Sequence, residues 1–481
     1  MRFVSDVLLF AKLQQTSGKS KLFIFILKFH TLHSAFFCSF ARGICKYTAL
    51  EKLLHYTWKH RLFPLTTFTT TDGKGVEVLD PGLQNHNAGP DFFNAKIKID
   101  SILWVGNVEL HVKSGDWFLH GHHCDTAYDN IILHVVCDAD REVVNSRGEQ
   151  LPQMVLPIAD GLRHNYEALL REDKYPRCHN IIPELPAFTV HSWMSALQTE
   201  RLERKTDDIM RLVKQLCGDW EAVCFRTLAR NYGFGVNSDA FEEWAKHIPL
   251  RAVDHHRDDL FQIEAIFLGQ AGLLDINAAP HSHQKEMAAD TYFHRLTDEY
   301  RFLAHKFSLE PMDAKMWKFL RLRPQNFPYI RISQLAYLYH SERAGMSRLV
   351  ECKDIKELAA ALATQVSDYW QTHYVFGVES ETKNEKHMAM ASLELLMINT
   401  VIPMLFAYGR YKNDETLVDR AVDLLESLRP ENNNIVRLWR ECGLEVGNAG
   451  DSQALIQLKK EYCDKKECLR CRIGYQYLKR K

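Results

Sequence analysis

The chain has 481 residues, 46% apolar and 25% charged, and its 60 Lys and Arg against 61 Asp and Glu leave a formal net charge of −1. These proportions describe a globular protein long enough for two or three cores. The charge balance excludes polyanion binding by bulk charge, so any nucleic-acid contact has to use local basic patches. Twelve cysteines in no regular framework exclude a small disulfide-stapled secreted fold; they point to reduced thiols, one local metal site and a cytoplasmic protein.

In chain order, "SKLFIFILKFHTLHSAFFCSFARG" sets a short apolar centre behind lysines, as a signal peptide does. Lys28, His30 and His33 interrupt it, so residues 1–48 are expected to form a poorly structured extension. No run reaches the roughly eighteen apolar residues of a membrane span, and no membrane partner is expected. A helix is predicted over 50–62, with Leu53, Leu54, Trp58 and Leu62 near helical spacing and Pro64 as its stop. Strands are predicted at 76–80, 95–99, 103–113, 130–138 and 151–158, punctuated by Gly, Asn and Asp. Between the third and fourth, "SGDWFLHGHHCDTAYD" is long enough for a short helix or an ordered loop. After Pro186 the apolar spacing becomes three to four residues, which predicts helices packed as a bundle or stacked hairpins. The chain thus divides into residues 49–175 as an α/β domain, 186–430 as a helical domain, and 431–481 as a basic, Cys-containing tail packed on the helices.

Chemistry concentrates in "GPDFFNAKIKIDSILWVGNVELHVKSGDW". Strand alternation puts Val108, Leu110 and Val112 on one face and Glu109, His111 and Lys113 on the other. Taken alone this is an amphipathic strand with a wet polar face. Asp91, however, opens the preceding strand, and adjacent hairpin strands let its carboxylate meet that of Glu109. Two carboxylates with a basic group suit one or two Mg²⁺ or Mn²⁺ ions and activation of a water against a phosphodiester, with Lys113 or His111 orienting or deprotonating the water.

These residues resemble the PD-(D/E)XK nuclease superfamily, whose signature is Pro-Asp, a spacer, then an acid, any residue and Lys. Pro90-Asp91 and Glu109-Leu110 match; His111 holds the Lys position, and the nearest Lys is Lys113. The resemblance implies an α+β fold: a restriction-endonuclease-like mixed sheet flanked by helices, followed by the mostly α-helical domain. From about 50 to 474 the chain also resembles a bacterial family known as domain of unknown function 2851. "HNAGPDFFNAKIKI", "GNVELHVKSGDW", "YDNIILHVV", "FLGQAGLL", "RLRPQNFP" and "SQALIQLKKEYC" carry that likeness, which imports no activity.

"HGHHCD" adds His120, His122, His123 and Asp125. The spacing fails the His-x-His-x-Asp-His pattern of a metallo-β-lactamase-like site. It suits either a polar loop with local hydrogen bonds or a loop closing over Asp91 and Glu109, in which Asp116, His120 and His122 support the ligands. His134, inside "IILHVV", reads as a core histidine. In the tail, Cys463, Cys468 and Cys471 are spaced to share one Zn²⁺ ion or iron–sulfur cluster, with Cys178 as preferred fourth ligand and His179 or Cys442 as alternatives. From 459 to 481, nine Lys or Arg face three acids. Arg470 and Arg472 could neutralise phosphates there while Tyr462, Tyr475 and Tyr477 stack on bases. Arg321, Arg323 and Arg331, beside Phe327 and Tyr329, form a second candidate nucleic-acid contact.

The leading expectation is a metal-dependent phosphodiester hydrolase acting on DNA or RNA, with Asp91 and Glu109 as metal ligands. Two other classes stay open: a non-catalytic nucleic-acid-binding or scaffold protein on a degenerate nuclease fold, and a small-molecule metal hydrolase built on His120 and His122. Substrate, strand preference and oligomeric state are not legible.

Overall fold

The periodicities resolve, in a computed structural model that describes residues 47–63, 68–85, 87–279, 281–343 and 345–480, into two compact units. The first takes described residues up to Asp173 and again from Gly474; the second runs Lys174–Ile473. The last helix turn of the tail therefore groups with the α/β unit rather than with the helices. The expected extension lies almost wholly outside the described residues.

The first unit begins with helix α1 (47–59). Leu53, Leu54 and Trp58 are its buried stripe, as their spacing requires. A seven-stranded sheet follows, from β1 (Phe68–Thr69), β2 (Gly75–Asp80), β3 (Leu83–Gln84), β4 (Phe92–Ile99), β5 (Ile102–Lys113), β6 (Ile131–Asp138) and β7 (Gln153–Val155). Its order is β1-β2-β4-β5-β6-β7, with β3 paired on β4. The first four strands are antiparallel, whereas β5–β6 and β6–β7 are parallel. Asp100 and Ser101, both at positive φ, make the two-residue turn that joins β4 to β5. The strand expected over 151–158 shrinks to three residues.

One sheet face carries the apolar core: Leu54 and Trp58 from α1 pack with Val76, Ile97, Val108, Leu110, Leu133 and Val135. The opposite face of β5 is not wet. Glu109 and His111 are 4% and 2% exposed, and His134 on β6 is fully buried. A cover from the β5–β6 connection accounts for this: the short helix α2 (Asp116–Leu119) and two 3₁₀ turns, His122–Cys124 and Thr126–Tyr128. Trp117 and Tyr128 anchor it in a second apolar cluster with Ile131, Val143 and Leu151.

The second unit is helical around one large core, its longest helix being Ala187–Gln215. Among its described residues the strands are confined to a small hairpin, His373–Val375 with Val378–Glu379. The helix Met390–Lys412 is long and apolar enough to cross a membrane by length and composition, yet most of it is buried within the protein, as in a core helix.

Candidate metal and nucleic-acid sites

Asp91 and Glu109 are brought together, Glu109 holding the backbone of Asp91 and Asp91 that of Leu110. Asp91 N donates to Glu109 Oε2 at 3.0 Å, and Leu110 N donates to Asp91 Oδ2 at 3.0 Å. The pairing of Phe92 with Val108 sets this up, because it places the residue before β4 beside the middle of β5. Burial raises the pKa of both carboxyls; the Asp91 charge pushes Glu109 further up, while His55 draws Asp91 back down. Glu51 on α1, also raised by burial, adds a third acid to the same field.

Imidazoles surround the pair. His55 Nε2 lies 3.4 Å from Asp91 Oδ2, and His122 Nε2 lies 3.3 Å from Glu109 Oε1, facing it without hydrogen-bond geometry. His111, His120 and His122 each point a ring nitrogen inward, all within 4.8 Å of one another. His111 Nε2 is 3.9 Å from Glu109 Oε1 and 3.0 Å from His120 Nδ1. Its other nitrogen, Nδ1, meets His134 Nε2 at 2.8 Å. Burial, reinforced by the neighbouring imidazoles, holds His111 neutral with a pKa of about 2 and His134 with one of about 3. Each contact in this chain then needs one proton, which neutral rings supply. His134 Nδ1, buried at the far end, has no hydrogen-bond partner among the described residues. The rings are fixed by packing: Trp117 lies 5.2 Å from both His122 and His134, and Tyr128 lies 3.9 Å from His122. Gly121, at φ +78°, turns the chain between His120 and His122 so that both face the sheet. Of the three, only His120 is exposed.

The remaining predicted residues divide. Asp116 is buried, its Oδ2 accepting from Lys113 N at 3.0 Å and from the Tyr47 hydroxyl. Lys113 is exposed at the end of β5, its Nζ 3.8 Å from Asp138 Oδ2, so the basic groups against the carboxylates are imidazoles instead. Arg321 and Arg323 are exposed. Arg331 does not join them: it is buried, bonded to Gln334 and Asn326 and stacked on Phe234. Arg470 is exposed, whereas Arg472 donates to Ser192 and lies over Trp193. Tyr462 and Tyr477 are buried, and Tyr462 donates to Glu200, so neither is free to stack on a base.

Four cysteines are neighbours, although their sulfurs are not among the ligand atoms that lie within 4.8 Å of one another. Cys463, Cys468 and Cys471 all lie within electrostatic reach of Cys178, while Cys442 has only Lys174 and Glu441 as charged neighbours and His179 Nδ1 sits against Pro176 O.

Sequence reading missed His55, Glu51 and Tyr47; it placed His134 in the core, where it is, without its link to His111. A signal was present: 47, 51 and 55 are spaced by four, which stacks a Tyr, a Glu and a His on one face of α1. Also unforeseen is a cavity of about 890 Å³ in the helical unit, whose lining includes eight Lys or Arg against the two acids Asp208 and Glu242. Lys205 projects into it from the long helix, its Nζ bonded to Ile398 O and Asn399 Oδ1 rather than to a carboxylate.

A family model, "Protein of unknown function (DUF2851)", matches residues 51–434, and the chain belongs to that family. No curated protein and no solved structure matches it.

Proposed function

We propose that this member of the DUF2851 family is a metal-dependent phosphodiester hydrolase with nucleic acid as substrate. The observation that carries the reading is the pair of carboxylates, Asp91 and Glu109, each held by a backbone N–H beside three converging imidazoles. An antiparallel hairpin bearing Pro-Asp and Glu, followed by a parallel β6, also suits the restriction-endonuclease-like arrangement that the sequence resemblance implies. His111, His120 and His122 with Glu109 would hold the ion, and Asp91 would share or flank it. Of the two ions expected, this donor set favours Mn²⁺, because Mg²⁺ takes oxygen ligands and dehydrates reluctantly. Bound there, a divalent ion supplies Lewis acidity and lowers the pKa of a water. His134 orients His111 through Nδ1, which leaves the Nε2 lone pair for the site. Substrate reaches the ion from the exposed His120 side. The basic cavity of the helical unit supports a polyanionic partner.

The test is Mn²⁺ calorimetry on residues 47–481, wild type against Glu109→Gln and His122→Ala, followed by cleavage assays on single- and double-stranded DNA and RNA. Binding and cleavage lost together in both variants is the expected result. Mn²⁺ binding without polynucleotide cleavage would turn the assignment to a scaffold protein. Cleavage of bis(p-nitrophenyl) phosphate alone would turn it to a small-molecule hydrolase. No binding at all overturns the metal site.

A further inference from the structure

Three of the four clustered cysteines come from one compact turn. Cys463 ends the π-helical segment Leu458–Cys463, Cys468 opens the 3₁₀ turn Cys468–Arg470, and Cys471 follows it. The chain reverses between them at Lys466, whose φ of +59° is left-handed. A lysine rarely takes that conformation without surroundings that enforce it. Hydrogen bonds from Lys466 N to Cys463 O, Glu467 N to Tyr462 O and Cys471 N to Cys468 O close the turn at 3.1, 2.7 and 3.3 Å. The fourth thiol, Cys178, precedes the 3₁₀ turn His179–Glu184, 285 positions away from Cys463 (463 − 178).

Elsewhere the neighbours of a thiol include charged side chains: Arg163 and Asp138 for Cys137, Glu221 for Cys224, and Arg348 and Glu357 for Cys352. Cys463 feels both Cys471 and Cys468, and Cys468 feels Cys471. None of the four is in a disulfide. Four thiolates side by side would repel one another unless a cation lay among them. Positive groups and donors ring the cluster. Arg177 lowers the Cys468 thiol, and its buried Nη1 has no hydrogen-bond partner among the described residues. Tyr175 neighbours Cys463, its buried hydroxyl has no hydrogen-bond partner among the described residues, and Lys459 sits 4.8 Å over its ring. Such outer contacts are what a negatively charged metal–thiolate centre requires.

We propose that Cys178, Cys463, Cys468 and Cys471 ligate one soft-metal centre through four thiolates, either a Zn²⁺ ion or a cubane iron–sulfur cluster. Four S–H bonds break, four protons leave to solvent and four metal–sulfur bonds form, with no change in sulfur oxidation state. The centre ties the start of the helical unit to its end, and it does not depend on the hydrolase reading.

The experiment is elemental analysis and acid-labile sulfide determination on full-length protein purified anaerobically without chelator. Wild type is compared with Cys178→Ser and Cys468→Ser, with the exposed Cys217→Ser as control and His122→Ala to separate the histidine site. The expected result is about one zinc without sulfide, or about four irons with sulfide, per chain. It should be lost in both cluster variants and kept in Cys217→Ser and His122→Ala. A metal-free wild type overturns the proposal, as does full occupancy in a folded Cys178→Ser. Should the serine variants not fold, an organomercurial titration of wild type decides: release of the metal by about four equivalents supports four thiolate ligands, and metal retained after all thiols have reacted refutes them.

Discussion

Glu109→Gln separates a site held for binding from one held for stability. Glu109 is buried and Asp91 beside it half-buried, and burial together with the Asp91 charge raises the Glu109 pKa. A carboxyl whose folded pKa lies above its unfolded value costs stability once the pH exceeds the unfolded value, and the cost grows until the folded pKa is passed. A tenfold weakening of the acid on folding corresponds to about 1.4 kcal/mol. Glutamine removes the charge while keeping the contacts: its oxygen can accept from Asp91 N, and its amide can donate to His122 Nε2, now 3.3 Å from Glu109 Oε1. In EDTA at neutral pH the variant should therefore be more stable by about 1 to 3 kcal/mol, or roughly 3 to 9 °C in Tm. The gain should shrink as the pH falls toward the ordinary carboxyl range, and Mn²⁺ binding should be lost. Thermal unfolding followed by circular dichroism from pH 5 to 8, with calorimetry alongside, reads all three. A metal-free variant less stable than wild type, or a gap that ignores pH, would show that the carboxylate is not held against its own charge.

Other expectations follow from single contacts. His134→Leu removes the partner of His111 Nδ1 but no inward-facing ring, and should weaken Mn²⁺ binding about 10- to 100-fold by calorimetry, with the fold retained. Arg226→Glu, in the basic cavity, should weaken single-stranded DNA binding and flatten its salt dependence; a salt slope equal to wild type would exclude the cavity from the contact. Glu264, fully buried in the helical core, accepts from Tyr292 at 2.6 Å, from Ser367 at 2.9 Å and from Ser333. Glu264→Ala strands three hydroxyls and should cost about 2 to 4 kcal/mol in urea unfolding, whereas Glu264→Gln should cost less.

What the sequence made legible is what depends on near neighbours in the chain. Period-two alternation located β4, β5 and β6, and the short β4–β5 connection made the meeting of Asp91 with Glu109 a matter of hairpin geometry. Alternation says which residues share a face but not what covers that face. The polar side of β5 looked wet because Glu109, His111 and Lys113 are polar; at Glu109 and His111 it is dry because Trp117 and Tyr128 clamp the following loop onto it. The contribution of α1 was hidden for a related reason. His55 sits beside Asp91 only through tertiary packing, and nothing local couples 55 to 91. The cysteines show the converse: their spacing grouped three of them, while the nearness of Cys178, distant in sequence, depended on a fold that spacing cannot supply.

The same burial also assigns roles within the histidine cluster. Lys113, the residue nearest the expected catalytic lysine, is exposed beside Asp138 and brings no charge to the carboxylates. His111, which occupies the motif's lysine position, has a pKa of about 2 and so holds a proton too weakly to act as a general base near neutral pH. Both facts remove Lys113 and His111 as bases of the site, and they leave His111 with the one property burial does not suppress, a lone pair on Nε2. Glu51, Asp91 and Glu109 are driven toward their neutral forms by the same desolvation, so the cluster resists charge of either sign unless both arrive together. A divalent cation among those carboxylates meets that condition. A solvated lysine outside them does not, which is why the reading rests on a metal rather than on the lysine the motif led one to expect.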